Sequence, residues 1–277
     1  MNILITGVST GIGLATALEL LGAGHRVWGT VRRASDASSL ASHPAFSALT
    51  MDVTDRATVR LAVAEIEAGG EPLHALVNNA GIAVSGPLET LAEADYRRQF
   101  EVNVFGGLAV TQEALPLLHA AREAGEANVK IVFISSVSGY VTSPFTGIYS
   151  ASKFATEAIV DGLRRELYPF GIDVLSVAPG PVKTPIWSKG RAQTAAYEGT
   201  RYAHVLDKLE AYTAGAEASG VAPERVAERI RNMLETHRPR PDRLIMNKAW
   251  LVKVMRWLPK RVQDRMFLRN IENAKRY

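Results

Sequence analysis

Two residues four positions apart, Tyr149 and Lys153, carry the most specific chemistry in the sequence. On a helix this spacing places both side chains on one face. A free phenol titrates near pH ~10, and a cation within a few Å favours the phenolate and lowers that pKa. The pair therefore predicts an acid/base centre. The same spacing also occurs on ordinary half-exposed helices, and that plainer interpretation is the better one unless the rest of the chain supports a site.

The composition bounds the kind of protein. A length of 277 residues fits one large α/β domain or two small ones, and 47% hydrophobic with 22% charged residues is typical of a soluble globular protein. The lack of cysteine excludes disulfides and thiolate metal sites, and no metal centre is predicted. Residues 1–7 do not resemble a signal peptide, and no apolar run approaches the ~20 residues of a membrane-spanning helix. We therefore expect a cytoplasmic protein, with peripheral contact to a membrane as the alternative.

A glycine-rich turn at residues 7–13 follows the first predicted strand. Residues 2–6 are typical of a buried parallel strand, and a helical pattern follows the turn. Glycines let the backbone approach a pyrophosphate, while the helix start offers free N–H groups and a positive dipole end. A plain strand-to-helix turn is the alternative. The position at the first strand favours a dinucleotide site formed by Gly7, Ser9, Thr10, Gly11, Ile12 and Gly13.

The end of the second predicted strand, at residues 25–31, bears on the choice of cofactor. Folds that prefer NAD usually place an acid here for the ribose 2′-hydroxyl. This chain has Val31 followed by Arg32 and Arg33. Arginine suits bidentate phosphate recognition, which favours the 2′-phosphate of NADP(H) over NAD. Two solvated loop arginines are the alternative, and Thr10 is neutral where NADP binders often have another basic residue.

Polar residues also follow the next two predicted strands. Asp52 and Val53 come after the strand at 46–51, where Asp52 is placed to meet an adenine, and Asp55 is placed to cap the next helix. A capping role for both acids is the alternative. The strand at 73–77 ends in Asn78-Asn79-Ala80-Gly81, whose amides can bond neighbouring strands while Gly81 leaves room for a cofactor. The candidate cofactor residues here are Asp52, Val53, Asn79, Ala80 and Gly81.

Two further candidates precede the Tyr149 helix. Asn103 lies in a largely apolar part of a long helical region at 92–122, where its amide needs a partner. A structural bond to backbone and a water bound near the active site are both compatible with it. Ser135 and Ser136 close the strand at 129–134, on the carboxyl side where ligands bind in such sheets.

Taken in order, these residues resemble the short-chain dehydrogenase/reductase family. Ser136 lies 13 residues before Tyr149, as in that family. The likeness covers residues 1–185 closely and continues loosely through a helix at 223–236 and a strand at 243–246. The matching pieces, at the family's spacing, are Thr6 to Gly13, Asp52, Asn78 to Gly81, Asn103, Ser136, Tyr149 to Lys153 and Pro179-Gly180.

The resemblance implies an α/β, doubly wound Rossmann fold with a mostly parallel seven-stranded sheet, helices on both faces and a helical C-terminal extension. One domain is expected over 1–246, with a substrate lid at about 185–222, followed by a basic extension at 247–277. The family is commonly dimeric or tetrameric, so a homodimer or homotetramer is expected. The expected strands are 2–6, 25–31, 46–51, 73–77, 129–134, 172–177 and 243–246.

The resemblance also implies roles for the site residues. Tyr149 donates or accepts the hydroxyl proton, and Lys153 lowers its pKa and holds the nicotinamide ribose. Ser136 binds the substrate oxygen, with Ser135 as the runner-up, and Asn103 holds a water on the proton path. The backbone at Pro179, Gly180 and Val182 faces the nicotinamide, and Thr184 bonds it or a phosphate.

Two C-terminal regions are less regular. The lid contains Trp187, Tyr197, Tyr202 and Tyr212, which suit a hydrophobic alcohol or ketone such as a steroid, a retinoid-like molecule or a lipid-derived ketone, or simply pack the lid. Residues 247–277 predict two short amphipathic helices broken at Pro259. They are suited to covering the pocket, packing on a partner subunit or lying on an anionic membrane. No nucleic-acid motif accompanies their charge.

The leading hypothesis is therefore an NADP(H)-dependent oxidoreductase that acts on a hydroxyl/carbonyl pair. A dinucleotide-binding regulator without turnover is a second hypothesis. The presence of all four of Asn103, Ser136, Tyr149 and Lys153 argues against it, because a sensor needs no phenol–ammonium pair. A C=C reductase or an epimerase built on the same site is a third.

Overall fold

The structure, a computed structural model, describes residues 1–186, 199–203, 214–215, 218–246 and 249–269. One sheet of seven strands runs in the order β3-β2-β1-β4-β5-β6-β7, and every pairing in it is parallel. The predicted strands are all present, and the sheet is fully rather than mostly parallel. The strands are β1 (Asn2–Ile5), β2 (Arg26–Val31), β3 (Phe46–Thr50), β4 (Ala75–Asn78), β5 (Lys130–Ile134), β6 (Asp173–Pro179) and β7 (Asp242–Ile245).

The described helices pack on both faces of the sheet, and two more helices follow its last strand in the chain. Asp55 caps α2 as predicted, because its carboxylate accepts from the Ala57 N–H at 2.9 Å. Two helices flank Pro259 in the C-terminal extension, also as predicted. The helices are α1 (Gly11–Gly22), α2 (Arg56–Ala68), α3 (Glu93–Phe100), α4 (Gly107–Glu123), α5 (Gly147–Leu167), α6 (Pro223–Glu235), α7 (Ala249–Trp257) and α8 (Lys260–Arg269).

Alternating side chains of the strands pack into two cores. Along β1, Ile3 and Ile5 face one side with residues of α1 and α6, whereas Leu4 faces the other side with residues of α2, α4 and α5. This period of two, apolar on both faces, is what a buried parallel sheet requires. The order reverses at β1, which pairs with both β2 and β4, so a crevice lies outside the carboxyl ends of these strands.

The helical region predicted at 92–122 is interrupted. A π-helical turn at Glu101–Gly106 separates α3 from α4. The chain is tightly packed here, since a Cβ at Gly106 would come within 2.7 Å of the Val53 side chain. Such turns re-aim side chains inside a helix and are frequent at functional sites. Asn103 lies in the middle of this one.

A buried lysine fastens the sheet to α6. Lys130 opens β5 with 0% exposure, and its ammonium donates to the carbonyls of Leu234 at 2.6 Å and Thr236 at 2.9 Å. Burial lowers the pKa of Lys130 to about 8, opposed by the charge of Asp173. The cation lies at the negative end of the α6 dipole, so its role is structural.

Candidate active site

Three glycines shape a cradle at the carboxyl end of β1. Gly7 and Gly11 have φ values of 72° and 61°, a region that side chains with a Cβ rarely enter. A Cβ at Gly13 would lie 2.2 Å from the carbonyl oxygen of Gly7, so only glycine lets α1 start this close to the turn. The turn therefore requires these residues for its geometry alone.

The start of α1 is open to an anion. Thr10 precedes the helix in an extended conformation and provides no side-chain cap. The first turn of a helix carries unpaired N–H groups and a positive dipole end. Ser9 and Ile12 are half-buried in the turn, and Thr10 is exposed. This is the arrangement that binds a pyrophosphate.

The loop after β4 is tied to the same turn. The Asn79 amide donates to the carbonyls of Thr6 at 2.9 Å and Gly7 at 3.0 Å. The Thr6 hydroxyl in turn accepts the N–H groups of Asn79 and Ala80, both at 2.9 Å. Asn79 and Ala80 thus belong to the cradle, and the amide of Asn79 fixes the width of the crevice.

Asn103 is held by protein groups. Its side-chain oxygen accepts from the Ile82 N–H at 2.8 Å, and its amide donates to the Ile82 carbonyl at 2.9 Å. The amide also lies 3.3 Å from the Ser152 hydroxyl on α5. Gly81 leaves room for this clamp, because a Cβ there would come within 3.3 Å of the Asn103 oxygen. The structural bond to backbone is therefore confirmed; the bound water stays a prediction.

The two arginines after β2 have different surroundings. Arg33 forms a bidentate pair with Asp36, at 3.0 and 3.2 Å, and this carboxylate raises the pKa of Arg33. Arg32 is exposed and makes no hydrogen bond or ion pair with the part of the chain that the structure describes. Arg32 is thus free to meet a phosphate, whereas Arg33 must first leave Asp36. Sequence reasoning missed Asp36, although an acid three residues after an arginine is a visible signal.

The acid at the end of β3 is partly used within its own loop. One oxygen of Asp52 accepts from the Thr54 N–H at 2.9 Å and the Thr54 hydroxyl at 2.8 Å. The Asp52 N–H donates to the Thr58 hydroxyl at 3.1 Å. Val53 is buried beside the π-helical turn. These contacts of one oxygen support the alternative of a local capping role for Asp52, and they do not engage its second oxygen.

Ser136, Tyr149 and Lys153 converge at the carboxyl end of β5. Lys153 is 7% exposed, and its ammonium donates to the Ile134 carbonyl at 2.7 Å. The ammonium lies 5.8 Å from the centre of the Tyr149 ring, so the predicted helical stacking of the pair is confirmed. The Ser136 oxygen accepts from the Ser138 N–H at 3.1 Å and is hydrogen-bonded to Tyr149. Two hydroxyls and one ammonium therefore share one small volume.

The direction of the Tyr149 pKa differs from the prediction. Burial raises the pKa of Tyr149, and the hydrogen bond from Ser136 offsets this only in part. The Lys153 ammonium is engaged by the Ile134 carbonyl at 2.7 Å, and its predicted effect of lowering the Tyr149 pKa stays a prediction. Burial also lowers the pKa of Lys153 to about 8. A phenol with a raised pKa remains protonated at neutral pH and is a proton donor.

Sequence reasoning missed Glu157, which extends the face of α5 that carries Tyr149 and Lys153. Its carboxylate accepts from the Ser176 hydroxyl at 2.6 Å and from the Tyr140 hydroxyl at 3.3 Å. The charge of Glu157 acts to raise the pKa of Lys153 and so favours its ammonium form. The signal was present, since Glu157 follows Lys153 by the same four residues that separate Lys153 from Tyr149.

The two serines after β5 are distinguished by their contacts. The Ser135 hydroxyl is buried without a hydrogen-bond partner among the described residues and lies below the turn at Gly139. Ser136 instead contacts Tyr149. The geometry therefore favours Ser136 as the residue that meets a substrate oxygen.

The segment after β6 closes the other wall of the crevice. Pro179 ends β6, and the Gly180 N–H donates to the Ile245 carbonyl at 3.0 Å. Val182 is buried and pairs with Val221 in a parallel bridge. A Cβ at Gly11 would lie 3.2 Å from the Thr184 side chain, so Thr184 adjoins the glycine cradle.

An aromatic contact lies near the start of α5. Phe145 packs edge-on against Tyr202 with ring centres 6.1 Å apart, and the Tyr202 hydroxyl donates to Glu89 at 2.6 Å. Tyr202 is the lid aromatic that the structure describes. Trp187, Tyr197, Tyr212 and most of the predicted lid lie outside the described residues.

The site residues fit a dinucleotide. The positive-φ glycines, the start of α1 and the exposed Arg32 offer backbone donors and a guanidinium where phosphates would lie. Within the described ranges there is no group of three or more His, Asp or Glu side chains arranged to hold a metal ion. Nor is any helix in those ranges long and apolar enough to span a bilayer.

Comparisons with known proteins agree with this geometry. The sequence pattern of the short chain dehydrogenase family matches residues 1–195. The NADPH-dependent 3-dehydrocapnine reductase of Ornithobacterium rhinotracheale is 37% identical over 97% of this chain and 96% of that protein. The 3-ketodihydrosphingosine reductase of Bacteroides thetaiotaomicron is 38% identical over 66% of this chain and 64% of its own. The solved structure of ElxO with NADP bound is 25% identical, covers 90% of this chain and 98% of that one, and has a TM-score of 0.72.

Proposed function

The chain belongs to the short-chain dehydrogenase family, and within it we propose that the protein is an NADP(H)-dependent oxidoreductase that reduces a hydrophobic ketone to a secondary alcohol. The observation that carries the proposal is the convergence of Ser136, Tyr149 and Lys153 beside a glycine cradle. A dinucleotide sensor would need the cradle but not the neighbouring phenol and ammonium.

The cofactor NADP(H) is supported from two sides. Arg32 and Arg33 stand where a 2′-phosphate would lie, and the relative that is 37% identical is named as NADPH-dependent. The cradle of Gly7, Gly11 and Gly13 would hold the pyrophosphate, and Asn79, Ala80, Gly81, Gly180, Val182 and Thr184 would line the rest. The cofactor supplies the hydride.

The chain supplies the proton and the electrostatic stabilisation. Reduction builds negative charge on the substrate oxygen, and donors preorganised around that oxygen stabilise the charge. Ser136 accepts from the Ser138 N–H, and its own O–H would turn from Tyr149 to the substrate oxygen. Tyr149 gives its proton to the same oxygen, and the Lys153 ammonium stabilises the phenolate that remains.

The protonation state of Tyr149 suits the acid role that reduction requires. Because burial raises the pKa of Tyr149, the phenol is protonated at neutral pH and acts first as an acid. Lys153 is held in place by the Ile134 carbonyl and by the charge of Glu157. Asn103 positions the loop at Ile82 against α5 and, through a bound water, would continue the proton path.

The class of substrate is proposed from the wall of the site and the relatives. Phe145 and Tyr202 supply an aromatic surface near the start of α5. The relative from Bacteroides thetaiotaomicron is named for reducing 3-ketodihydrosphingosine, a ketone on a lipid base. A lipid-derived ketone is therefore the substrate class that we propose.

A panel of ketones with NADPH and with NADH tests the proposal. We expect NADPH consumption with long-chain ketones, slower consumption with short-chain ones, and little activity with NADH. Turnover of enones at C=C with no ketone reduction, or cofactor binding with no turnover on any carbonyl, would replace the proposal by one of the alternatives.

A further inference from the structure

One face of α7 presents large apolar side chains to solvent. Trp250, Val254 and Trp257 are 62%, 46% and 88% exposed, and they recur at helical spacing. Val252, on the opposite side, is 5% exposed. One side of α7 is therefore packed, while the other, which we call the outer face, is open.

The helix α8 also exposes apolar side chains. Val262 and Met266 are 38% and 45% exposed and lie four residues apart. The buried Gln263 donates to the Leu258 carbonyl at 2.8 Å, which ties α8 to the end of α7 across Pro259. The two helices thus form one short amphipathic unit.

Charge separates this unit from the rest of the chain. Residues 247–277 contain nine Lys and Arg but two Asp and Glu, whereas residues 1–246 contain 23 Lys and Arg against 26 Asp and Glu. The net positive charge of the protein therefore comes from residues 247–277. Exposed cations of α7 and α8 are Arg256, Lys260, Arg261 and Arg265.

We propose that α7 and α8 form a docking surface for an anionic lipid bilayer. Tryptophan prefers the headgroup level, where its ring is in an apolar layer and its N–H stays wet. An amphipathic helix with such a face lies in the interface plane, and basic residues beside it bind anionic headgroups. A second copy of this chain is a poorer occupant, because it would bring two strongly positive extensions together.

The helix α7 begins close to the wall of the active-site crevice. Gly180 lies on the crevice wall, and a Cβ there would come within 2.8 Å of the Met246 side chain. The helix begins three residues beyond Met246. Docking would therefore hold the carboxyl edge of the sheet near the bilayer in which a hydrophobic ketone is dissolved. The inference does not rest on the proposed reaction, since binding is measured without cofactor or substrate.

Vesicle flotation of the full chain tests the proposal. We expect flotation with phosphatidylcholine vesicles that contain phosphatidylglycerol, weaker flotation with phosphatidylcholine alone, and loss of binding as salt rises. The double variant Trp250→Ser/Trp257→Ser should bind about tenfold or more weakly, because the inserted apolar area is lost. A matched control, Leu61→Ser/Tyr168→Ser, removes two exposed apolar side chains elsewhere and should bind like the parent.

A second readout separates insertion from charge attraction alone. Anionic vesicles should shift the tryptophan emission of the parent to the blue. Trp250→Phe/Trp257→Phe should remove that shift, because the two tryptophans that remain, Trp28 and Trp187, are not part of α7 or α8. Equal flotation of the parent and the serine double variant would overturn the proposal. The absence of flotation on anionic vesicles would also overturn it. If the double variant then changed only the sedimentation coefficient, the outer face would instead be a contact between subunits.

Discussion

The face of α5 that carries the site and the outer face of α7 use one helical period in opposite ways. On α5, Tyr149, Lys153 and Glu157 follow each other at four-residue spacing, lie buried or half-buried, and each has a polar partner. On α7, Trp250, Val254 and Trp257 recur at spacings of four and three residues but are exposed. The helical period alone therefore indicates that residues share a face. The residues packed around that face determine whether it forms a buried site or an exposed surface.

The difference has a physical cause. Buried polar groups are costly unless they are paired, so the network on α5 is retained only with its partners in place. An exposed tryptophan needs no buried polar partner, but its apolar area remains in water. A bilayer can cover that area. The first arrangement fixes geometry for chemistry, and the second leaves a surface available for binding.

The largest effect is expected where the buried network loses its cation. Lys153→Met keeps the length of the side chain but removes the ammonium that supports the Tyr149 phenolate, and we expect turnover to fall by about 10³-fold. The matched control Lys260→Met removes an exposed cation of α8 and should leave turnover on a water-soluble ketone unchanged. Steady-state NADPH oxidation measures the turnover of both variants. An equal loss of turnover in the two would contradict the distinction between the buried and the exposed cation.

A smaller effect is expected from the donor at the substrate oxygen. Ser136→Ala removes one preorganised hydroxyl and should lower kcat by about 10²-fold. Ser135→Ala, in the adjacent position, removes a buried hydroxyl without a described partner and should have little effect on kcat. The reverse order of the two variants would assign the substrate contact to Ser135.

The choice of cofactor should depend on exposed arginines. Arg32→Ala/Arg33→Ala should weaken NADPH binding by about tenfold, because charge-assisted hydrogen bonds to the 2′-phosphate are lost. NADH binding should not change. Asp36→Asn should instead tighten NADPH, since it frees Arg33 from its bidentate pair. Fluorescence titration with both cofactors measures these constants, and parallel changes for NADPH and NADH would contradict the assignment.

The smallest effect is a shift in pH dependence. Glu157 acts to raise the pKa of Lys153, which is lowered by burial to about 8. Glu157→Gln removes that charge, so the pKa of Lys153 falls further and its ammonium is lost at lower pH. The alkaline limb of the kcat/KM profile should therefore move to lower pH. Glu166→Gln, an exposed acid on the same helix, is the control and should leave the limb in place.

Much of this architecture could be predicted from the sequence. The strands, the glycine turn and the Asp55 cap follow from local rules that need no distant contact. The pairing of Tyr149 with Lys153 also follows from spacing. Ser136 required the resemblance, because its place beside Tyr149 is set by the packing of the turn after β5 against α5.

Other features depended on contacts between distant segments. The π-helical turn brings Gly106 against Val53, which is far away in sequence. The bond between Glu157 and Ser176 joins α5 to β6. The raised pKa of Tyr149 reflects burial that no local pattern reports.

The proton-donor role of Tyr149 is the central claim, and Tyr149→Phe tests it most directly. NADPH binding and NADPH oxidation with a ketone substrate are measured on the same preparation. We predict an NADPH Kd close to that of the parent and turnover lower by about 10³-fold, because phenylalanine keeps the ring but has no proton to give. Turnover within a few fold of the parent, with cofactor binding unchanged, would contradict the claim.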